Sequence, residues 1–202
     1  ALLFQSGYLT IASQLQIGAR IEYTLHYPNL EVRASLNDSL LQQLCGDPSV
    51  PGRQVGQLYR LLLANDFAAM QVLFTAFFAS IPHQWFTNNP IAQYEGYYAS
   101  VFYSYFAALG LAITCEETSN AGRLDMAIKF NSQIYLFEFK LVEIEPEGKA
   151  LQQIIDKGYD DKHRASGQLI HLIGVEFSKV SRSVVGFEVE TLQFIDKIDH
   201  IT

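Results

Sequence analysis

Basic residues are scarce in this chain. Its 202 residues carry 14 Lys and Arg against 21 Asp and Glu, a formal net charge of −7. That balance speaks against a broad electrostatic grip on nucleic acid, which a basic surface gives, without excluding nucleic-acid binding. It leaves room for a local basic group, and for a carboxylate site whose charge a cation would offset. Cysteine is nearly absent too. Cys45 and Cys115 stand far apart and form no CxxC pair, so neither a structural zinc site nor a disulfide framework is expected. Both read as ordinary buried thiols in a reducing cytoplasm. Long apolar runs are missing: the most apolar stretch, 67–81, is broken by Gln71 and stopped by Pro82. It is too short to span a bilayer and reads as a core helix. No signal peptide is visible, no Walker motif offers a P-loop, and no Gly-x-Ser-x-Gly elbow offers a nucleophile. His83, His163, His171 and His200 show no ligand spacing, and His26 falls on an expected strand. The chain opens on Ala1-Leu2-Leu3-Phe4 without an initiator methionine, and a larger parent protein is the expectation.

What is present is core material. Hydrophobic residues make up 49% of the chain, with 14 Phe and 11 Tyr, enough to pack one large domain or a domain plus a smaller module. Residues 7–11 and the alternating Ile21-Glu22-Tyr23-Thr24-Leu25 predict a hairpin of half-buried strands. Asn29, with Glu31 in the first turn, predicts a helix from Leu30 to Leu44, ended by Gly46-Asp47-Pro48. A second helix is expected over 52–64, with Val55, Leu58, Tyr59, Leu62 and Leu63 on one stripe. Asp66 is placed to cap a third over 67–80. After a loop at 87–90, Ile91 to Leu109 reads as a long helix closed by Gly110. The pattern then turns to strands at 111–117, 123–130 and 134–140, a short helix at 148–157, and strands at 169–177 and 183–189. A boundary is placed near residue 88, dividing a hairpin-and-helix module (1–88) from an α/β domain (89–202).

The informative segment is Gly122-Arg123-Leu124-Asp125-Met126-Ala127-Ile128-Lys129-Phe130, followed by Ile134-Tyr135-Leu136-Phe137-Glu138-Phe139-Lys140. Side chains alternate across a strand, so Leu124, Met126, Ile128 and Phe130 are expected on one face, matching Tyr135, Phe137 and Phe139. A two-residue turn at Asn131-Ser132 brings those faces into register. Asp125 then lies opposite Glu138, and Arg123 opposite Lys140, with facing Cβ atoms about 5 Å apart. Two carboxylates that close repel each other unless a hard divalent cation joins them. Such a site polarises a phosphoryl oxygen and activates water, and a nearby lysine stabilises developing charge. The plainer alternative is a cross-strand salt-bridge cluster. Against it, the second strand is apolar on both faces until Glu138, as a buried central strand is, and charge at its end is costly unless used.

Asp125, a hairpin and Glu138-Phe139-Lys140 together resemble the PD-(D/E)xK nuclease superfamily. The resemblance is closest to the nuclease domain that follows an AAA-ATPase-like domain in many bacterial proteins. Gly122-Arg123-Leu124-Asp125 resembles its G-R-x-D element, Ala150-Leu151-Gln152-Gln153-Ile154 with Gly158-Tyr159 its glutamine helix, and Leu172 to Phe177 the strand after it. Upstream, Phe4 to Thr10 and Tyr27 to Arg33 resemble the end of the ATPase-like part. The proline of the family name is replaced here by Leu124. The resemblance implies a restriction-endonuclease-like core, αβββαβ, with a mixed sheet flanked by helices. It implies Asp125, Glu138 and the Phe139 carbonyl as ligands of Mg²⁺ or Mn²⁺, Lys140 as the catalytic lysine, and Glu95 as the acidic residue of the preceding helix. Glu95 also reads as an exposed charge favoured by a helix start. Gln153 maps to the glutamine that bridges the site or contacts substrate, and otherwise reads as an exposed helical amide. Arg123, Lys157 and Tyr159 are candidates for touching nucleic acid, although an aromatic at a helix end is most often core. Lys157, Lys162, His163 and Arg164 form a local basic cluster that is either a solvated face or a phosphate contact.

Two functions follow. The first is a metal-dependent nuclease acting on DNA before RNA, attached to an ATPase-like domain of the same parent chain. The second is a silent nuclease fold that binds nucleic acid or protein and regulates that domain, which the acidic charge favours.

Overall fold

The structure is a computed structural model in which residues 2–44, 49–81, 93–119 and 122–193 are described. Cys45, the helix stop at 46–48, His83, the 87–90 loop, the boundary near residue 88, the start of the helix expected from Ile91, and His200 lie outside those residues.

A short helix α1 (Leu2–Gln5) leads into a hairpin of β1 (Thr10–Ile17) and β2 (Arg20–His26). The hairpin forms where expected, but its strands are exposed along nearly their whole length rather than half-buried. The apolar side chains of one face, Ile11, Tyr23 and Leu25, are each more than 40% exposed. Three helices follow: α2 (Leu30–Leu44), α3 (Ser49–Ala64) and α4 (Phe67–Ser80). Their starts obey local capping chemistry. Asn29 Oδ1 accepts the Val32 N–H at 2.8 Å, and Asp66 Oδ1 accepts the Ala69 N–H at 3.0 Å, each satisfying a donor the helix cannot. The α3 stripe is narrower than expected: Leu58 and Leu62 are buried, while Tyr59 and Leu63 are exposed. Tyr59 instead lays its ring edge-on against Phe130, with centroids 5.5 Å apart.

Helix α5 (Glu95–Ala108) ends at Gly110, whose φ of +75° reverses the chain without a Cβ penalty. The remaining elements are β3 (Ala112–Ser119), β4 (Gly122–Phe130), β5 (Gln133–Val142), α6 (Lys149–Lys157), α7 (Asp161–Arg164), β6 (Leu169–Ser178) and β7 (Val184–Leu192). The strands form one five-stranded sheet in the order β3-β4-β5-β6-β7. Only β5 and β6 run parallel, joined through α6, so the sheet is mixed. Central β5 is buried on both faces, as its apolar sequence requires. One face of the sheet, including Met126, Ile128, Tyr135, Phe137 and Phe139, packs with α2 to α5 in a large aromatic core. The other, including Ala127, Ile134, Leu136 and Ile170, packs under α6. This is the restriction-endonuclease-like α/β arrangement expected.

The β4–β5 turn is the two-residue one anticipated: Asn131 and Ser132 both adopt positive φ, 50° and 57°, the primed geometry that matches strand twist. Phe130 pairs with Gln133 and Met126 with Phe137. Leu124 departs from expectation. It packs under α6 with Tyr159 rather than with Met126 and Ile128. The alternation breaks at Asp125, where the paired β3 carries Glu116 at a φ of +52°, a left-handed conformation that costs a non-glycine residue energy.

Candidate active site

The strand ends place the charged groups. The β4–β5 ladder stops at Met126–Phe137, and the next pair, Asp125 and Glu138, is linked through side chains. Asp125 Oδ2 accepts the Phe139 N–H at 2.8 Å, and the Asp125 N–H donates to Glu138 Oε2 at 3.4 Å. Glu138 is 1% exposed. Its Oε1 accepts from Lys140 Nζ at 3.2 Å and from the Gln153 amide on α6. From the opposite layer the first residue of α5 closes the group: Glu95 Oε1 lies 3.4 Å from Lys140 Nζ, and its Oε2 accepts the Leu141 N–H at 3.1 Å. Glu95 reaches this point because Tyr98, Phe102 and Phe106 on the same stripe are fully buried and fix the helix against the sheet. Thus Asp125, Glu138, Lys140, Glu95 and Gln153, distant in sequence, meet at one end of β5.

The electrostatics are those of a strained carboxylate pair. Burial, then the neighbouring Asp125, pushes Glu138 up to about 7 against the pull of Lys140. Burial also raises Asp125, opposed by the Phe139 N–H and Lys140. For Lys140, burial favours the neutral amine, but Glu95 and Glu138 outweigh it and hold the ammonium charged. A buried Glu138 and a half-buried Asp125, with Glu95 beside them and one lysine to offset the three, form a donor set that fits a hard divalent cation. The Phe139 N–H points toward β4 beyond the end of the ladder, so its carbonyl opens to the same side. Among the described residues no group of three or more His, Cys, Asp or Glu forms a complete cage. Magnesium needs none, because one or two carboxylates plus waters suffice.

Other expected residues fall elsewhere. Arg123 does not face Lys140; it turns to Glu116 on β3 at 3.3 Å, well exposed. Tyr159 is 3% exposed, with its hydroxyl donating to the Arg123 carbonyl at 3.1 Å, so it is a core residue without a face for nucleic acid. That hydroxyl would sit 2.9 Å from a Cβ at residue 122, which explains Gly122. The basic cluster is consumed internally: Lys162 and His163 pair with Glu117 at 3.1 and 3.4 Å, and Arg164 with Asp160 at 2.6 Å. Lys157 stays exposed beside Lys140, Lys149 and Gln153 in a groove of 340 Å³. Cys115 is exposed, not buried.

Sequence reasoning passed over Glu176. It is 2% exposed in the middle of β6, and its carboxylate accepts the N–H groups of Glu147, Gly148 and Ala150. This anchors the start of α6, the helix that carries Gln153. The signal was present: a lone carboxylate inside an apolar strand demands a partner.

The fold is a restriction-endonuclease-like α/β arrangement, with carboxylates and a lysine at the strand ends. Residues 93–187 match the family model described as PD-(D/E)XK nuclease superfamily, a span that holds every residue of the cluster. The chain is also 64% identical over 192 residues to a protein of Azotobacter chroococcum mcd 1 described as "Uncharacterized protein in vnfD 5'region". The match covers 95% of this chain but 37% of that protein. No solved structure matches. No helix among the described residues is long and apolar enough to cross a membrane.

Proposed function

We propose that this chain hydrolyses phosphodiester bonds in nucleic acid, DNA before RNA, using Mg²⁺ or Mn²⁺ held by Asp125, Glu138 and the Phe139 carbonyl. The observation that carries the reading is the convergence of Glu95, Asp125, Lys140 and Gln153 around a buried Glu138 whose carboxyl is raised. A bound cation would supply Lewis-acid polarisation of the phosphoryl oxygen and a lowered pKa for bound water. The protein's part is to place and charge the groups around it. Lys140, kept protonated by Glu95 and Glu138, points its ammonium where charge gathers on the scissile phosphate or the attacking water. Gln153 fixes the rotamer of Glu138, and the Phe139 N–H fixes that of Asp125. Lys157 at the rim is suited to a neighbouring phosphate, and Arg123 becomes available if it leaves Glu116.

The parent protein would be cytoplasmic and carry an ATPase-like region, with residues 1–88 as its end and 89–202 as the nuclease part. The greater length of the Azotobacter relative leaves room for such a region. The second reading is a silent module that regulates it, favoured by the net charge of −7 and the internally paired basic cluster. The test is incubation of purified protein with single- and double-stranded DNA and RNA, with and without Mg²⁺ or Mn²⁺. Lys140→Ala and Glu138→Ala serve as controls. Metal-dependent cutting by the parent but by neither variant supports the nuclease. Absence of cutting, together with absence of divalent binding by calorimetry at millimolar metal, defeats it.

A further inference from the structure

Beside the acidic pair lies a cavity of 420 Å³ between α5 and the β3–β4 edge, with Glu95 and Asp125 on its inner rim. One wall is the face of α5 bearing Gly96, Ala99, Ser100 and Tyr103, a spacing that aligns side chains along a helix. The first three are small, and a Cβ added at Gly96 would meet no atom within 4 Å. Met126 and Phe139 give the cavity an apolar floor. Tyr103 differs from the other aromatic residues of its helix. Tyr97, Tyr98, Phe102, Tyr105 and Phe106 each pack ring against ring, whereas Tyr103 makes no ring contact among the described residues and is half-buried at the cavity wall.

The volume falls in the range of sites that enclose small organic ligands, and the lining suits a flat, uncharged, partly apolar group. A phosphate would meet three carboxylates there, Glu95, Glu116 and Asp125, against one cation, Arg123, which is already paired with Glu116; a nucleobase carries no charge for the carboxylates to repel. The rest of the chain offers little hold on a phosphate backbone, given its charge of −7 and the pairing of Lys162 and Arg164. Proteins that bind single strands combine a basic groove with stacking of bases against aromatic rings, and here Tyr103 on the cavity wall would have to supply most of that hold. A base inside a duplex is stacked and paired and cannot enter a pocket unless it leaves the helix.

Resting on the nuclease reading above, we propose that this cavity is a base pocket: the chain takes an unpaired nucleotide, its base on Tyr103 and an adjacent phosphate at the cation that Asp125 and Glu138 would hold. The substrate class is therefore a single strand or a frayed end rather than continuous duplex.

The experiment is fluorescence anisotropy with a short labelled oligodeoxynucleotide in Ca²⁺, using the strand, its duplex and the same strand with abasic sites. The parent is expected to bind the strand at least about tenfold more tightly than either alternative, since base stacking is worth roughly 5- to 150-fold per base. Tyr103→Ala should lose a factor in that range. Gly96→Leu should fold at least as well, because leucine favours a helix over glycine, yet lose strand binding by filling the cavity. Gly56→Leu on α3, where a Cβ also meets open space, should leave binding unchanged. Equal binding of duplex or of abasic strand, or normal binding by a folded Gly96→Leu protein, overturns the base pocket and leaves the nuclease reading standing. No binding and no metal-dependent cutting of any nucleic acid overturns the nuclease reading itself.

Discussion

Glu176 Oε1 accepts the backbone N–H of Ala150, 26 positions before it in the chain, at 3.2 Å, so a strand residue caps the start of a helix that precedes it. Gly148, at the N-cap of α6, has no side chain to do this. Glu176→Ala would take the acceptor from the N–H groups of Glu147, Gly148 and the buried Ala150, and should lower unfolding free energy by about 1–3 kcal/mol. Glu176→Gln keeps the acceptor oxygen and should recover part of that loss. Urea unfolding of the two variants measures it; equal stability of Glu176→Ala and the parent would show that α6 is held by packing alone.

Gly174 precedes Glu176 on the same strand and pins the same helix. A Cβ there would overlap the backbone nitrogen and Cα of Leu151. Gly174→Ala should therefore push α6 off the sheet, at a cost of about 1–3 kcal/mol, and draw Gln153 away from Glu138. Crystallography of the variant should show α6 displaced, and metal affinity by calorimetry should drop with it. An unmoved α6 would mean that β6 yields instead.

How much of this was legible in the sequence depended on the range of the interactions. Asn29 and Asp66 act within their own helix turns, and both helix starts were readable. The Asn131-Ser132 turn fixes the β4–β5 register locally as far as Met126–Phe137, which was enough to bring Asp125 near Glu138, although the alternation breaks at Asp125 itself. Glu95 was placed by its aromatic stripe together with a resemblance. Leu124 was misplaced because alternation assumes a regular strand, and the break at Asp125 is a property of the paired β3, where Glu116 adopts positive φ. Tyr159 and the basic residues at 162–164 stood between two readings for a related reason. Composition shows charge and aromatic surface, but their partners, Glu117 for Lys162 and the Arg123 carbonyl for Tyr159, come from strands more than 30 positions earlier. The hairpin's alternation signalled an apolar face without signalling its exposure.

Lys140 is half-buried between two acids, so Lys140→Ala removes the ammonium that offsets them. Cutting should fall by about 10²–10⁴-fold, the range for a group acting on a developing charge or a moving proton, and thermal unfolding in EDTA should also drop, because Glu138 and Asp125 lose their cation. Glu95→Gln should act in the same direction but less, because it weakens the field that keeps Lys140 protonated. An NMR titration of the Lys140 ε-methylene should then show the amine titrating at lower pH. An unchanged titration would assign Glu95 to the Leu141 N–H alone.

The pH dependence of stability without metal should expose two opposed buried groups. Glu138 titrates at about 7 when folded, against an ordinary value of 4.5. Between those values the folded state holds a proton that the unfolded state has lost, so stability falls as pH rises. His171 runs the other way. It is 2% exposed, and burial lowers it to about 4 from 6.5. Its ring nitrogens bond Gln133 Oε1 at 2.7 Å and Thr191 Oγ1 at 2.9 Å. Between pH 4 and 6.5 the unfolded state binds the extra proton, so stability rises with pH. Each shift amounts to about 3 kcal/mol over its window, and in the parent the two slopes should largely cancel. Glu138→Gln removes the falling slope and the repulsion toward Asp125. Urea unfolding in EDTA should then show a variant more stable than the parent above about pH 7, with a steep loss on acidification from about 6.5 to 4. A flat profile for Glu138→Gln across that window would contradict a neutral imidazole at His171. A variant less stable than the parent at pH 8 would contradict an unrelieved acidic pair at the strand ends.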